Sequence, residues 1–189
     1  MKLFLICSVL TVMPAFSAAT ANNPVDKGST IISGQMYFQR QSGDLYECTG
    51  RTTVQVIPGF GFFVSPGFMI GAEIGLLHQS ACGNNYTEYA IGPKIGYYFN
   101  SDPTRTDFIK GTAFPHIAAL GVIGSIHARG SSNITVTQFG AEAGVVYMMS
   151  NAVGVDFAAR FSYDTWSVRG WSNSGITIKV GVGVTAFVY

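Results

Sequence analysis

The chain has 189 residues, room for a single domain, and its charge is nearly balanced, with eleven Lys and Arg against ten Asp and Glu. No basic run is present, which argues against a nucleic-acid partner. Charged residues are only 11% of the chain and mean hydropathy is +0.30. Beyond the N-terminal segment, however, no apolar run reaches the roughly eighteen residues of a spanning helix. A hydrophobic chain without such a helix can still cross a bilayer as a closed barrel, because a barrel satisfies its backbone hydrogen bonds between strands.

The first residues, Met1-Lys2 and then LFLICSVLTVM, carry one positive charge ahead of a short apolar run, and small residues follow up to Ala19-Thr20-Ala21. This order predicts an export signal, residues 1–21, cleaved after Ala21. The mature domain is then 22–189, with ten basic and ten acidic residues because only Lys2 leaves. Cys7 lies inside the apolar run, away from any cleavage point, so a lipoprotein anchor is not expected. Cys48 and Cys82 remain, and export favours a disulfide between them over two free thiols.

The first strand is expected over about Thr30–Gln39, with Ile32, Gly34, Met36 and Phe38 on one face and Ser33, Gln35, Tyr37 and Gln39 on the other. A polar segment holding Cys48 leads to a second strand, Thr52–Val64, whose apolar row is Val54, Val56, Pro58, Phe60 and Phe62. Ser65-Pro66-Gly67 is a tight turn. The third strand, Phe68–Gln79, sets Ile70, Ala72, Ile74 and Leu76 against Gly71, Glu73 and Gly75. After Cys82 the fourth, Tyr86–Phe99, sets Tyr89, Ile91, Ile95 and Tyr97 against Glu88, Ala90 and Lys94.

The fifth strand, Phe108–His127, has no clean alternation, so its faces stay unassigned. The sixth, Ile134–Met149, opposes Phe139, Ala141, Ala143, Val145 and Tyr147 to Gln138 and Glu142. Ser150-Asn151 is expected as a two-residue turn. The seventh strand, Ala152–Asp164, alternates most regularly: Val153, Val155, Phe157, Ala159, Phe161 and Tyr163 against Asp156, Arg160 and small residues. A period of two over about a dozen residues exceeds a soluble strand and suits a tilted membrane strand of roughly 9–11 residues. Thr165–Ser174, with Trp166 and Trp171, is expected as a polar, aromatic loop before the last strand, Gly175–Tyr189.

The expected architecture is all-β, an eight-stranded antiparallel transmembrane β-barrel with alternating longer loops and shorter turns. Cys48 and Cys82 would then fall in the first and second external loops. The inward row should carry Gln35, Gln55, Glu73, Glu88, Lys94, Glu142, Asp156, Arg160 and Lys179. In a lumen just wide enough for side chains, these charges are expected to pair and fix the register, although an ion path is the other reading. Aromatic belts are expected at Phe60, Phe62, Tyr97, Phe99 and Tyr147 on the turn side, and at Phe38, Tyr89, Phe139, Phe161 and Tyr163 on the loop side.

The hairpins GFGFFVSPGFMIGAEIGL and GVVYMMSNAVGVDFAARFSYD, together with the final Ala186-Phe187-Val188-Tyr189, resemble the small bacterial outer-membrane β-barrel family that includes OmpX-like and OmpW-like proteins. The resemblance covers the mature chain. It implies an outer-membrane location, a boundary of lipid, and an assembly signal in Phe187 and Tyr189 read by the outer-membrane assembly machinery. One departure is evident. If Lys179 faces inward, Phe187 and Tyr189 do too, unless a one-residue bulge intervenes near Gly181–Thr185.

The function expected is structural or surface-interacting through the external loops, without a cofactor, metal or enzymatic activity. The alternative is a narrow channel for small or hydrophobic solutes. A lipid-modifying enzyme is more remote: His78-Gln79-Ser80 has the spacing of an acyl-transfer pair, but three-residue matches arise by chance. His116 and His127 read as isolated. A soluble lipocalin-type barrel would need the apolar rows inside, leaving Glu142, Asp156, Arg160 and Lys179 in water.

Overall fold

The computed structural model describes residues 23–41, 51–81, 84–100, 109–128, 134–168 and 171–189. Wherever the sequence alternates, a strand forms: β1 (Thr30–Gln41), β2 (Arg51–Ser65), β3 (Phe68–Ala81), β4 (Asn84–Tyr98), β5 (Ala113–Ala128), β6 (Ile134–Met148), β7 (Val153–Val168) and β8 (Trp171–Val188). Each pairs antiparallel with the next, and β8 returns to β1 to close an eight-stranded barrel. With 12 to 18 residues per strand, the wall is longer than the roughly 9–11 residues a tilted strand needs to cross hydrocarbon.

The two faces separate as the period of two requires. Ile32, Met36, Ile74, Ile91, Ile95, Phe157 and Phe161 are exposed on the outside, whereas Gln35, Glu73, Glu142, Asp156 and Arg160 are buried in the lumen. In water such an outer wall would be a very large apolar patch; in hydrocarbon it is the required surface. Of the expected aromatic belts, Phe60, Tyr97, Phe99 and Tyr147 toward the turns and Tyr89, Phe139, Phe161 and Tyr163 toward the loops are exposed rings, whereas Phe62 is half-buried. The side chain of Phe38 lies outside the described residues.

Strand five has a physical reason for its missing alternation. Its inward row is Phe114, His116, Ala118, Leu120, Val122 and Ile126, and its outward row includes Ile117 and Ile123. Phe114 joins an apolar plug, and Leu120 and Val122 pack with Ala90 as a second apolar cluster. Apart from His116 the named inward residues of β5 are apolar, so its two faces read alike. The strand also starts at Ala113, because Thr112 N–H donates to Ile109 O in a preceding turn.

Three other expectations change. The β6–β7 connection is four residues, 149–152, rather than two; Ser150 Oγ accepts the Ala152 and Val153 amides and so stabilises the wider turn. Trp166 and Trp171 belong to strands, since the β7–β8 ladder continues to Val168–Trp171. Strand eight needs no bulge: its pairing with β7 is unbroken from Trp171 to Ala186, Phe187 is buried in the lumen, and Tyr189 lies at the rim with its hydroxyl donating to Asn151 O.

The turn-side mouth is closed by oil. Val25, from the segment ahead of β1, packs with Phe63, Tyr98, Ile109, Phe114, Val146, Met148 and Phe187. Gly67 N–H donates to Val25 O, and Gly28 N–H to Phe63 O, which fastens that segment across the opening.

Replacing an outward, mid-wall alanine should act through lipid. Ala159→Arg is expected to destabilise the barrel by about 2–4 kcal/mol, read from urea titrations of folding into vesicles. An unchanged midpoint would place Ala159 outside the hydrocarbon.

Candidate functional site

The lumen carries two polar tiers above the apolar mouth. Neighbouring strands set the lower tier through their register, which aligns Glu142 with Arg160 across β6–β7. Arg160 is its centre. Its two terminal nitrogens donate to Glu73 Oε1 and Oε2 at 2.7 and 2.8 Å, while Nε and Nη2 donate to Glu142 Oε2 at 3.1 and 2.6 Å. The planar guanidinium suits this double fork, and a lysine could not reproduce it.

Lys94 Nζ donates to Glu142 Oε1 at 2.6 Å. Gln35 Nε2 donates to Asp156 Oδ2 at 2.9 Å and accepts, through Oε1, the Tyr37 hydroxyl at 2.9 Å. The tier thus joins β1, β3, β4, β6 and β7. Its three carboxylates, Glu73, Glu142 and Asp156, outnumber its two permanent cations, Arg160 and Lys94.

His116 sits between the carboxylates in excess. It is 2% exposed and stacks on Tyr98 with centroids 4.9 Å apart. Its Nε2 lies 3.5 Å from Glu142 Oε1 and 3.9 Å from Asp156 Oδ1, and neither ring nitrogen makes a hydrogen bond. The expectation that His116 is isolated is therefore wrong. Only the facing of β5 could have revealed it, and an oily strand gives no parity. Gly144 makes the room, because a Cβ there would come within 2.7 Å of His116 Cε1.

The upper tier is looser. Lys179 Nζ donates to Gln55 Oε1 at 2.9 Å, and Thr177 Oγ1 donates to Asp164 Oδ2 at 2.6 Å. Glu88 is buried and faces the same space. Of the seven charged residues expected to meet inside, Glu73, Lys94, Glu142, Asp156 and Arg160 share the lower tier, while Glu88 and Lys179 stand in the upper one. Tyr37 and Asp164 add to the two tiers.

Cys48 and Cys82, and with them the expected disulfide, lie outside the described residues. His78 and Ser80 do not form a hydrogen-bonded pair with an acid: His78 Nδ1 lies 3.4 Å from Thr87 Oγ1 on the outer face. Glu73 points to the opposite side of that strand, and Glu88 points to the lumen from β4. Among the described residues no group of three or more His, Cys, Asp or Glu is placed to hold a metal ion.

No family model matches the chain, and no curated protein matches it. Solved structures do. Neisserial surface protein A superposes with a TM-score of 0.62 at 16% identity, over 85% of this chain and 97% of that one. OprG, an outer-membrane protein of Pseudomonas aeruginosa, gives 0.54 at 9%, over 89% and 99%. The N-terminal β-barrel domain of OprF from the same organism gives 0.53 at 12%, over 86% and 98%. These likenesses establish the fold, a small membrane β-barrel, and agree with the resemblance carried by the hairpins.

The Arg160 cluster has a direct energetic test. Arg160→Met leaves Glu73 and Glu142 facing each other in a dry layer and should cost about 3–5 kcal/mol. The triple variant Glu73→Gln, Glu142→Gln, Arg160→Met removes the stranded charges and should recover most of that loss. Urea midpoints in vesicles read both. A triple variant no better than Arg160→Met would show that the ion pairs are not the source of the penalty.

Proposed function

We propose that the chain is a bacterial outer-membrane barrel, exported through a cleaved signal, whose lumen does not conduct. Its role is structural or surface-interacting, through the segments joining the strands at the loop end. The observation that carries this reading is the filled lumen. Below, Val25, Phe63, Tyr98, Phe114, Val146, Met148 and Phe187 close the mouth; above them Arg160, Glu73, Glu142 and Lys94 bridge opposite walls at 2.6 to 3.1 Å. A hydrated ion would have to break the charge tier and then displace the oily plug. Both costs fall on the same path.

The outer wall supports the membrane half of the reading. Lipid is its obligatory partner, since the exposed rows are apolar and flanked by aromatic rings. Three structural neighbours, Neisserial surface protein A, OprG and the OprF barrel domain, support the outer membrane as the address. Tyr189 and Phe187 fit an assembly signal read before the barrel closes, after which Phe187 becomes part of the plug.

Planar-bilayer recording of the refolded mature protein tests the closed lumen. The expected trace is flat, with no discrete conductance steps in symmetric salt. A steady conductance that falls on Glu142→Gln or Arg160→Met would favour the narrow-channel alternative.

A further inference from the structure

The β1–β8 ladder is the shortest in the wall. It runs from Thr30–Val188 to Met36–Val182 and stops, although β1 continues to Gln41 and β8 begins at Trp171. Above that point both strands keep their other partners: Tyr37–Gln41 stays paired with β2, and Trp171–Gly181 stays paired with β7. Toward each other they make no ladder. Consistent with a missing neighbour, Ile176, Ile178 and Val180 of β8 are 65%, 73% and 78% exposed, the highest values among the exposed large hydrophobics of the described residues.

One side chain marks the base of the fork. The Tyr37 ring lies over Gly181, where an added Cβ would overlap it. The Tyr37 hydroxyl is tied to Gln35, and Gln35 to Asp156, so the residue at the fork is tethered to the lower charge tier. Unpaired strand edges at membrane depth are costly, because hydrocarbon offers their N–H and C=O groups no partner. The register already present would satisfy them if it were continued. It would pair Tyr37 with Gly181, Phe38 with Val180 and Gln39 with Lys179.

We propose that the upper β1–β8 seam is a two-state lateral slot, open as described above and closed when β1 zips onto β8 in that continued register. Tyr37 is the positioning residue at its base. The slot connects the upper polar tier, with Lys179 and Gln55, sideways to the lipid. This inference rests on the wall spanning a membrane and is independent of whether the lumen conducts along its axis.

Cross-linking tests it. In a background with Cys48→Ser and Cys82→Ser, Phe38→Cys with Val180→Cys reports the slot, and Met36→Cys with Val182→Cys reports the last formed pair. The two pairs sit two residues apart along the same ladder, so their pairing geometry is of one kind. A disulfide requires Cα atoms about 4.4–6.8 Å apart. In vesicles under mild oxidation the control pair should close first, and the slot pair should go to completion at least about ten-fold more slowly. Equal rates would mean the ladder is continuous. A slot pair that never oxidises would mean a fixed gap. Either result overturns the proposal.

Hydrogen exchange on the unsubstituted protein gives the same decision without relying on the variants folding. Amides of β8 that point toward β1 should exchange faster from Thr177 to Gly181 than from Val182 to Val188. Uniform protection along β8 would refute the open state.

Discussion

Arg160 is the side chain on which the interior depends. A guanidinium buried with two carboxylates is stable only because every N–H fork it presents has an oxygen at 2.6 to 3.1 Å. Those oxygens come from Glu73 on β3 and Glu142 on β6. The one cation therefore fixes three strands, β3, β6 and β7, at a common height. Slipping any of the three by one residue would turn a charge to the lipid side and leave its partners unpaired in a dry lumen, a penalty far larger than the worth of any single pair.

Above and below this tier the lumen is built differently, and the difference follows from what each end must do. The turn-side mouth is filled by Val25, Phe63, Phe114, Met148 and Phe187, side chains that need no hydrogen-bond partner and can close an opening whatever their neighbours' charge. The upper tier includes the hydrogen bonds Lys179–Gln55 and Thr177–Asp164. It lies beside the one ladder that stops short.

Much of this was legible in the sequence because a strand with oil on one face and polar groups on the other writes its orientation in every second residue. Glu73, Lys94, Glu142, Asp156 and Arg160 could be placed inside from that alternation alone. Parity also placed Phe187 inside, and the structure bears that out without a bulge. What failed did so where alternation carries no information. Apart from His116 itself the residues facing in and out on β5 are mostly apolar, so His116 could not be assigned to a face and read as isolated, although it sits 3.5 Å from Glu142. The tops of β7 and β8 read as a loop because Thr165, Ser167, Ser172 and Ser174 are polar; there the strands run on past the apolar belt and no hydrophobic row marks them. The early end of the β1–β8 ladder could not be read at all, since it depends on contacts between the two ends of the chain.

The central claim is that Arg160 holds Glu73 and Glu142 in a dry, rigid tier. Nuclear magnetic resonance of the folded protein in lipid nanodiscs, observing the guanidinium protons of Arg160, addresses it directly. The account predicts separate, slowly exchanging Arg160 Nε and Nη proton signals with through-space contacts to the side chains of both glutamates. A single averaged signal in fast exchange with water, without those contacts, would contradict it.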